Sequence, residues 1–186
     1  VTGLASAGMV ALAGCAGGPG DSGTQTADAP DAVTVTTDDA CDVCGMIIPN
    51  HPGPSTEIFY PDREPSGHAN PARFDSTWEA FEYDFERQDR GWERSVMYVT
   101  DYSAVDDEVT AEGGDRLIST HPEASAFAPA ETVTFVADSE VKGAMGRDLI
   151  GFGEEDDAAA FQSEHGGDPL GVDEVTPAVV GRLGMN

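Results

Sequence analysis

The chain has 186 residues, 39% of them hydrophobic, enough for one domain or two small ones around a real core. Its formal net charge is −26, from 35 acidic against 9 basic residues, and Lys142 is the sole lysine. That balance argues against nucleic-acid phosphate as a partner, because phosphate recognition depends on Lys and Arg. The carboxylates are spread along the whole sequence and read as a solvated surface rather than an acidic site. Such a surface resembles that of halophilic proteins, where molar salt screens like-charge repulsion to a few ångströms.

Residues 1–14 are almost all small or apolar and end in Leu12-Ala13-Gly14-Cys15. This resembles a lipobox, in which the cysteine is lipidated and becomes the first mature residue. The basic region expected ahead of such a segment is missing, which suggests a precursor that begins further upstream. The apolar run is too short to span a bilayer comfortably. We therefore read 1–15 as a signal segment ending in the lipidation site Cys15, and expect a lipid anchor at the extracytoplasmic face of the cell membrane. Residues 16–38 are Gly, Pro, Asp, Ser and Thr with little apolar pattern, a flexible acidic tether.

The remainder reads as one plan used twice, over 39–110 and 111–186. In the first lobe a strand at 56–60 is followed by Pro/Gly-rich sequence and a short strand at 72–74. A helix then runs over 76–88, with Asp75 a suitable cap and Ser76-x-x-Glu79 spaced as a capping box if the cap lies one residue later. Trp78, Phe81 and Phe85 recur at helical spacing and should face the core, and a β-rich run follows at 95–99. In the second lobe, strands are expected at 133–136 and 148–152. Acidic 154–157 opens a helix whose first-turn carboxylates suit the positive end of its dipole, and Gly166-Gly167 ends it. A closing strand is expected over 169–175. The fold class is therefore α+β: two similar strand–strand–helix–strand lobes packed together.

Chemistry concentrates in Cys41-Asp42-Val43-Cys44-Gly45-Met46, three sulfur donors in a chain of only three cysteines and five methionines. Thiolate with thioether favours a soft ion, above all Cu(I). A redox motif would normally open a helix, which Gly45, Pro49 and Pro52 discourage. Half of a zinc site would need histidines in place of a second cysteine pair, and a structural disulfide is the bland alternative. Met145, in the Gly-flanked connection Gly143-Ala144-Met145-Gly146, suits a loop that closes over a ligand, although methionine is more often core filler. Met97 alternates within a strand and reads as core. His51, in His51-Pro52-Gly53-Pro54, can reach the same centre, since neutral imidazole ligates copper, or it is an exposed loop residue. His165 suits a helix C-terminus. His68 and His121 read as loop residues. No nucleophilic triad, phosphate loop or dinucleotide fingerprint is present, and no carboxylate pair stands out.

Cys44-Gly45-Met46, His51-Pro52-Gly53-Pro54, Met145-Gly146-Arg147-Asp148-Leu149-Ile150 and the Ala-rich helix ending in His165-Gly166-Gly167 resemble the NosL family, lipoprotein copper chaperones associated with nitrous oxide reductase maturation. The resemblance covers roughly 39–175 and implies two strand–strand–helix–strand lobes. It implies that Cys44 is the copper-ligating thiolate, Met46 the methionine close behind it, and Met145 a ligand from the second lobe. Cys41 is less secure, since related sequences need not have it; it permits a second thiolate or a regulatory disulfide. The implied cargo is Cu(I), and the implied partners are nitrous oxide reductase and its membrane assembly complex. The chain would not be an enzyme. A lipid-anchored thiol–disulfide oxidoreductase using Cys41 and Cys44, or copper delivery to another exported copper enzyme, are the alternatives. The Asp/Gly-rich connection at 106–115 and the proline-rich excursion at 61–71 have no reading.

Overall fold

The computed structural model describes residues 29–65 and 67–184. The lipidation site expected at Cys15 and tether residues 16–28 lie outside the described residues. The end of the expected tether is docked rather than free, with the Val33 N–H donating to Glu57 Oε2 (3.0 Å), the Val35 N–H to the Pro122 carbonyl (2.8 Å) and Val35 buried in the main core. In chain order the elements are β1 (Thr56–Phe59), β2 (Ala72–Phe74), α1 (Thr77–Gln88), β3 (Val96–Thr100), β4 (Val109–Glu112), β5 (Asp115–Ile118), β6 (Phe127–Pro129), β7 (Thr134–Gly143), β8 (Gly146–Phe152), α2 (Glu155–His165), β9 (Asp168–Leu170) and α3 (Pro177–Leu183). The fold is α+β, with one sheet ordered β2-β1-β3-β6 and a second in which β7 is flanked by β8 on one edge and by β5 and β9 on the other.

The repeat read from sequence is present down to register. β1 is the middle strand of the first lobe, antiparallel to both β2 and β3, and β7 is the middle strand of the second, antiparallel to both β8 and β9. Thr56 pairs with Phe74 and Thr134 with Phe152, so the two phenylalanines that precede the helices are equivalent. A parallel bridge between Asp101 and Gly151 joins the sheets. A Cβ at Gly151 would stand 3.0 Å from the Thr100 carbonyl, so the close approach needs glycine there.

The β7–β8 part of the second sheet is buried on both faces, whereas β4 and β5 are mostly exposed. Phe135, Ala137 and Leu149 join the main core with Phe74, Phe81 and Met97, whereas Val136, Ile150 and Phe152 pack beneath α2 against Ala158 and Phe161. This is why β7 and β8 carry continuous apolar runs rather than strict alternation. Helix α1 lies in the main core between the lobes, with the Phe81 ring 5.7 Å from that of Phe135.

Several local expectations are corrected. The closing strand is shorter than 169–175: β9 ends at Leu170, a 3-10 turn covers Val172–Glu174, and α3 follows, with Thr176 as cap and Pro177 in its first turn. The 106–115 connection contains β4 and the start of β5. These form a hairpin through Gly113-Gly114, both at positive φ, and β5 joins the second sheet by pairing with β7. Among the described residues no helix is long and apolar enough to cross a membrane.

Candidate metal centre

The Cys41–Met46 segment closes a tight loop on itself. The Cys41 N–H donates to the Met46 carbonyl at 2.8 Å and the Gly45 N–H to the Cys41 carbonyl at 3.0 Å, with Gly45 at φ +77° making the reversal. No helix starts at the motif; a 3-10 turn follows at Ile48–Asn50. The loop is fastened to the outer edge of β2. The Asp42 N–H donates to the Arg73 carbonyl (2.9 Å), and the Arg73 N–H donates back to Asp42 Oδ2 (2.8 Å).

That docking places both cysteines over the N-terminus of α1. The Cys41 thiol donates to Glu79 Oε2 at 3.4 Å, and the Cys44 thiol to Asp75 Oδ1 at 3.3 Å. Donor atoms of Cys41, Cys44, Asp75 and Glu79 all lie within 4.8 Å of one another. Both cysteines are free; Cys41, Asp75 and Glu79 are buried and Cys44 is partly exposed. Helix α1 is capped by Ser76, whose Oγ accepts the Glu79 N–H at 3.4 Å. The Glu79 carboxylate turns to Cys41, where a capping box would have sent it back to Ser76.

Burial sets the protonation states. It pushes both thiols up, Cys41 far above and Cys44 above the ordinary range, and the Asp75 carboxylate adds to both. The N–H groups of Cys44, Asp75 and Val43 partly offset this at Cys41. Burial also raises the Glu79 carboxyl. The metal-free site is thus a pair of protonated thiols held by two carboxyl groups. A soft cation that displaces the thiol protons has oxygen acceptors already in place for them.

The second lobe reaches the same helix end through Asp148 on β8. It is fully buried, and its Oδ1 accepts the Trp78 N–H (3.0 Å) and the Leu149 N–H (2.8 Å). Burial lifts its carboxyl to about 7. Met145 occupies the two-residue turn between β7 and β8, where Gly143 pairs with Gly146. The base of that turn packs on the His51–Pro54 loop so closely that a Cβ at Gly53 would stand 2.6 Å from Gly143 Cα. His51 and Met145, both half-buried, therefore lie on adjoining loops, and His51 is outside the four-residue cluster. Met46 is half-buried at the loop's close. Met97 is buried core, His165 ends α2 in an edge-to-face contact with Phe161, and His68 and His121 are loop residues.

Asp75 and Glu79 were not foreseen as site residues. Their capping roles account for them in the sequence, and what brings them to sulfur is contact across 31 and 38 positions of chain.

The NosL family profile matches residues 32–180. The chain is 30% identical over 142 residues to the copper-binding lipoprotein NosL of Stutzerimonas stutzeri, covering 76% of this chain and 64% of that relative's length. The crystal structure of the copper chaperone NosL from Shewanella denitrificans superposes with a TM-score of 0.60 at 27% identity, covering 80% of this chain and 97% of the other. The solution structure of apo-NosL from Achromobacter cycloclastes, 25% identical, covers 67% of this chain and 87% of its own with a TM-score of 0.39. With that family match extending over most of the described residues, the chain belongs to the NosL family.

Proposed function

We propose that the protein is a Cu(I) metallochaperone, held at the extracytoplasmic face of the membrane by lipid on Cys15, that delivers copper for nitrous oxide reductase maturation through a membrane assembly complex. The observation that carries the copper reading is the convergence of two free thiols within 4.8 Å at a partly exposed loop. The lipobox and a lipoprotein relative support the anchor, and family membership supports the destination.

Cys44 and Met46 are the proposed ligands, with Cys41 as a second thiolate and Met145 or His51 completing a site of low coordination number. Sulfur selects Cu(I) over hard divalent ions. Each thiol gives up its proton as copper binds, and Asp75 and Glu79 are the groups it already points to. Few ligands at a partly exposed cysteine suit transfer, because an incoming thiolate or imidazole can add before an old ligand leaves. The raised thiol pKa values and the absence of a helix at the motif weigh against the oxidoreductase alternative, which needs a reactive thiolate.

The test is anaerobic titration of the reduced full chain with Cu(I) against a chromophoric Cu(I) chelator. One equivalent should be retained by the wild type and lost with Cys44→Ser. Failure of the wild type to compete for one equivalent would overturn the proposal.

A further inference from the structure

The proline-rich excursion between β1 and β2 brings His68 onto the residue between the two cysteines. Its Nε2 lies 2.9 Å from Asp42 Oδ1, and its Nδ1 lies 2.8 Å from the Ala69 carbonyl oxygen. Both are acceptors. A neutral imidazole has one N–H and one lone pair, so either tautomer would aim a lone pair at an oxygen. Only the imidazolium donates on both sides. Asp42 in turn holds the loop to β2 through the Arg73 N–H and carbonyl.

We infer that His68, standing as an imidazolium, is a positioning residue for the copper loop: by clamping Asp42 it holds the Cys41–Cys44 turn on the edge of β2. The inference rests on the copper-carrier reading of that loop. Other charged groups around the ring are Arg73, which opposes the imidazolium, and Asp39, which favours it and pairs with Arg73 at 3.5 Å. Burial pulls the imidazolium pKa down, but the Ala69 carbonyl and Asp42 outweigh it, leaving His68 above its ordinary value. The clamp is therefore tightest at acidic pH and weakens as pH rises through the His68 pKa, because the neutral ring loses its charge and can keep only one of the two hydrogen bonds. A copper-binding loop held in this way is tight at low pH and looser above it, in addition to any effect of thiol ionisation.

The test compares wild-type full chain with His68→Gln, anaerobically and at constant ionic strength in chloride-free buffer, over pH 5.5 to 8.5. His68 is partly exposed in a loop, so the variant should fold. In the metal-free proteins, exchange protection of the Cys41 and Gly45 amides should be higher in the wild type below the imidazole pKa and equal above it. The imidazole pKa itself, read by NMR, should fall toward the ordinary value of about 6.5 in Asp42→Asn. Cu(I) affinity, read by chelator competition, should favour the wild type about two- to fivefold at the acidic end, as for a partly exposed ion pair. The ratio should approach one at the alkaline end, since thiol ionisation is common to both proteins. Equal amide protection at every pH would overturn the clamp, and so would an affinity ratio that does not change with pH. If neither protein competes for Cu(I), the copper reading of the loop fails, and amide protection alone decides the clamp.

Discussion

Glu57 makes the pH dependence of stability a sharp prediction. It sits on β1, the middle strand of the first lobe, with its side chain fully buried. Its Oε2 accepts the Val33 N–H at 3.0 Å, and its Oε1 has no hydrogen-bond partner. Burial lifts its carboxyl from 4.5 to about 7; Val33 and Arg73 oppose the rise and Asp39 adds to it. A carboxyl raised in the folded state binds its proton more tightly there than in the unfolded chain. Its contribution is complete below about pH 4.5 and is lost as pH rises to about 7. The upward shift from 4.5 to about 7 is worth about 3 kcal/mol. Glu57→Gln keeps an acceptor for Val33 and removes the titration. Urea unfolding at constant salt, measured from pH 4 to 8.5, should therefore show the variant gaining on the wild type by about 3 kcal/mol across that window, with the gain complete by about pH 8. The other carboxylates are common to both proteins and cancel in the comparison. Stability curves that run parallel within about 0.5 kcal/mol would mean that Glu57 titrates alike in the folded and unfolded chains, contrary to its burial.

Further predictions concern the site. Cys44→Ser should weaken Cu(I) binding about a hundredfold, and Met46→Leu or Cys41→Ser less, as measured by chelator competition. Because burial raises both thiols, alkylation by iodoacetamide at pH 8 should be slower in the folded metal-free protein than in denaturant, with Cys44 reacting before the buried Cys41. Gly53→Ala should cost about 2 kcal/mol or more of unfolding free energy, because Gly53 stands at φ +116° and the new Cβ would meet Gly143 Cα at 2.6 Å. If the β7–β8 turn carries a ligand, the same variant should also weaken copper binding by displacing Met145.

The parts of the fold that were legible in the sequence are those where local and tertiary signals agree. Ser76 caps α1 as its spacing with Glu79 suggests, and Phe81 faces the core with Trp78 and Phe85 packed around it. The two lobes were legible because Phe74 and Phe152 end equivalent strands just before equivalent helices. The β4–β5 hairpin was not, because its exposed strands carry no apolar alternation, and only Gly113-Gly114 marked the turn. The strand expected over 169–175 failed because apolar Leu170, Val172 and Val175 serve a strand end, a 3-10 turn and the approach to α3 in succession. At the site, the sulfur loop announced itself, whereas Asp75, Glu79 and Asp148 did not. Among 35 acidic residues no carboxylate is conspicuous, and these three become special only where folding buries them beside sulfur or a helix end.

Copper held by sulfur at the Cys41–Met46 loop leaves a signature in its first coordination shell. Copper K-edge X-ray absorption on the anaerobically loaded full chain reads that shell. The spectrum should show a Cu(I) edge with a low-coordinate shell dominated by sulfur at thiolate and thioether distances, losing a sulfur scatterer in Cys41→Ser and collapsing in Cys44→Ser. A first shell of nitrogen and oxygen alone, unchanged by either substitution, would contradict sulfur ligation at the loop.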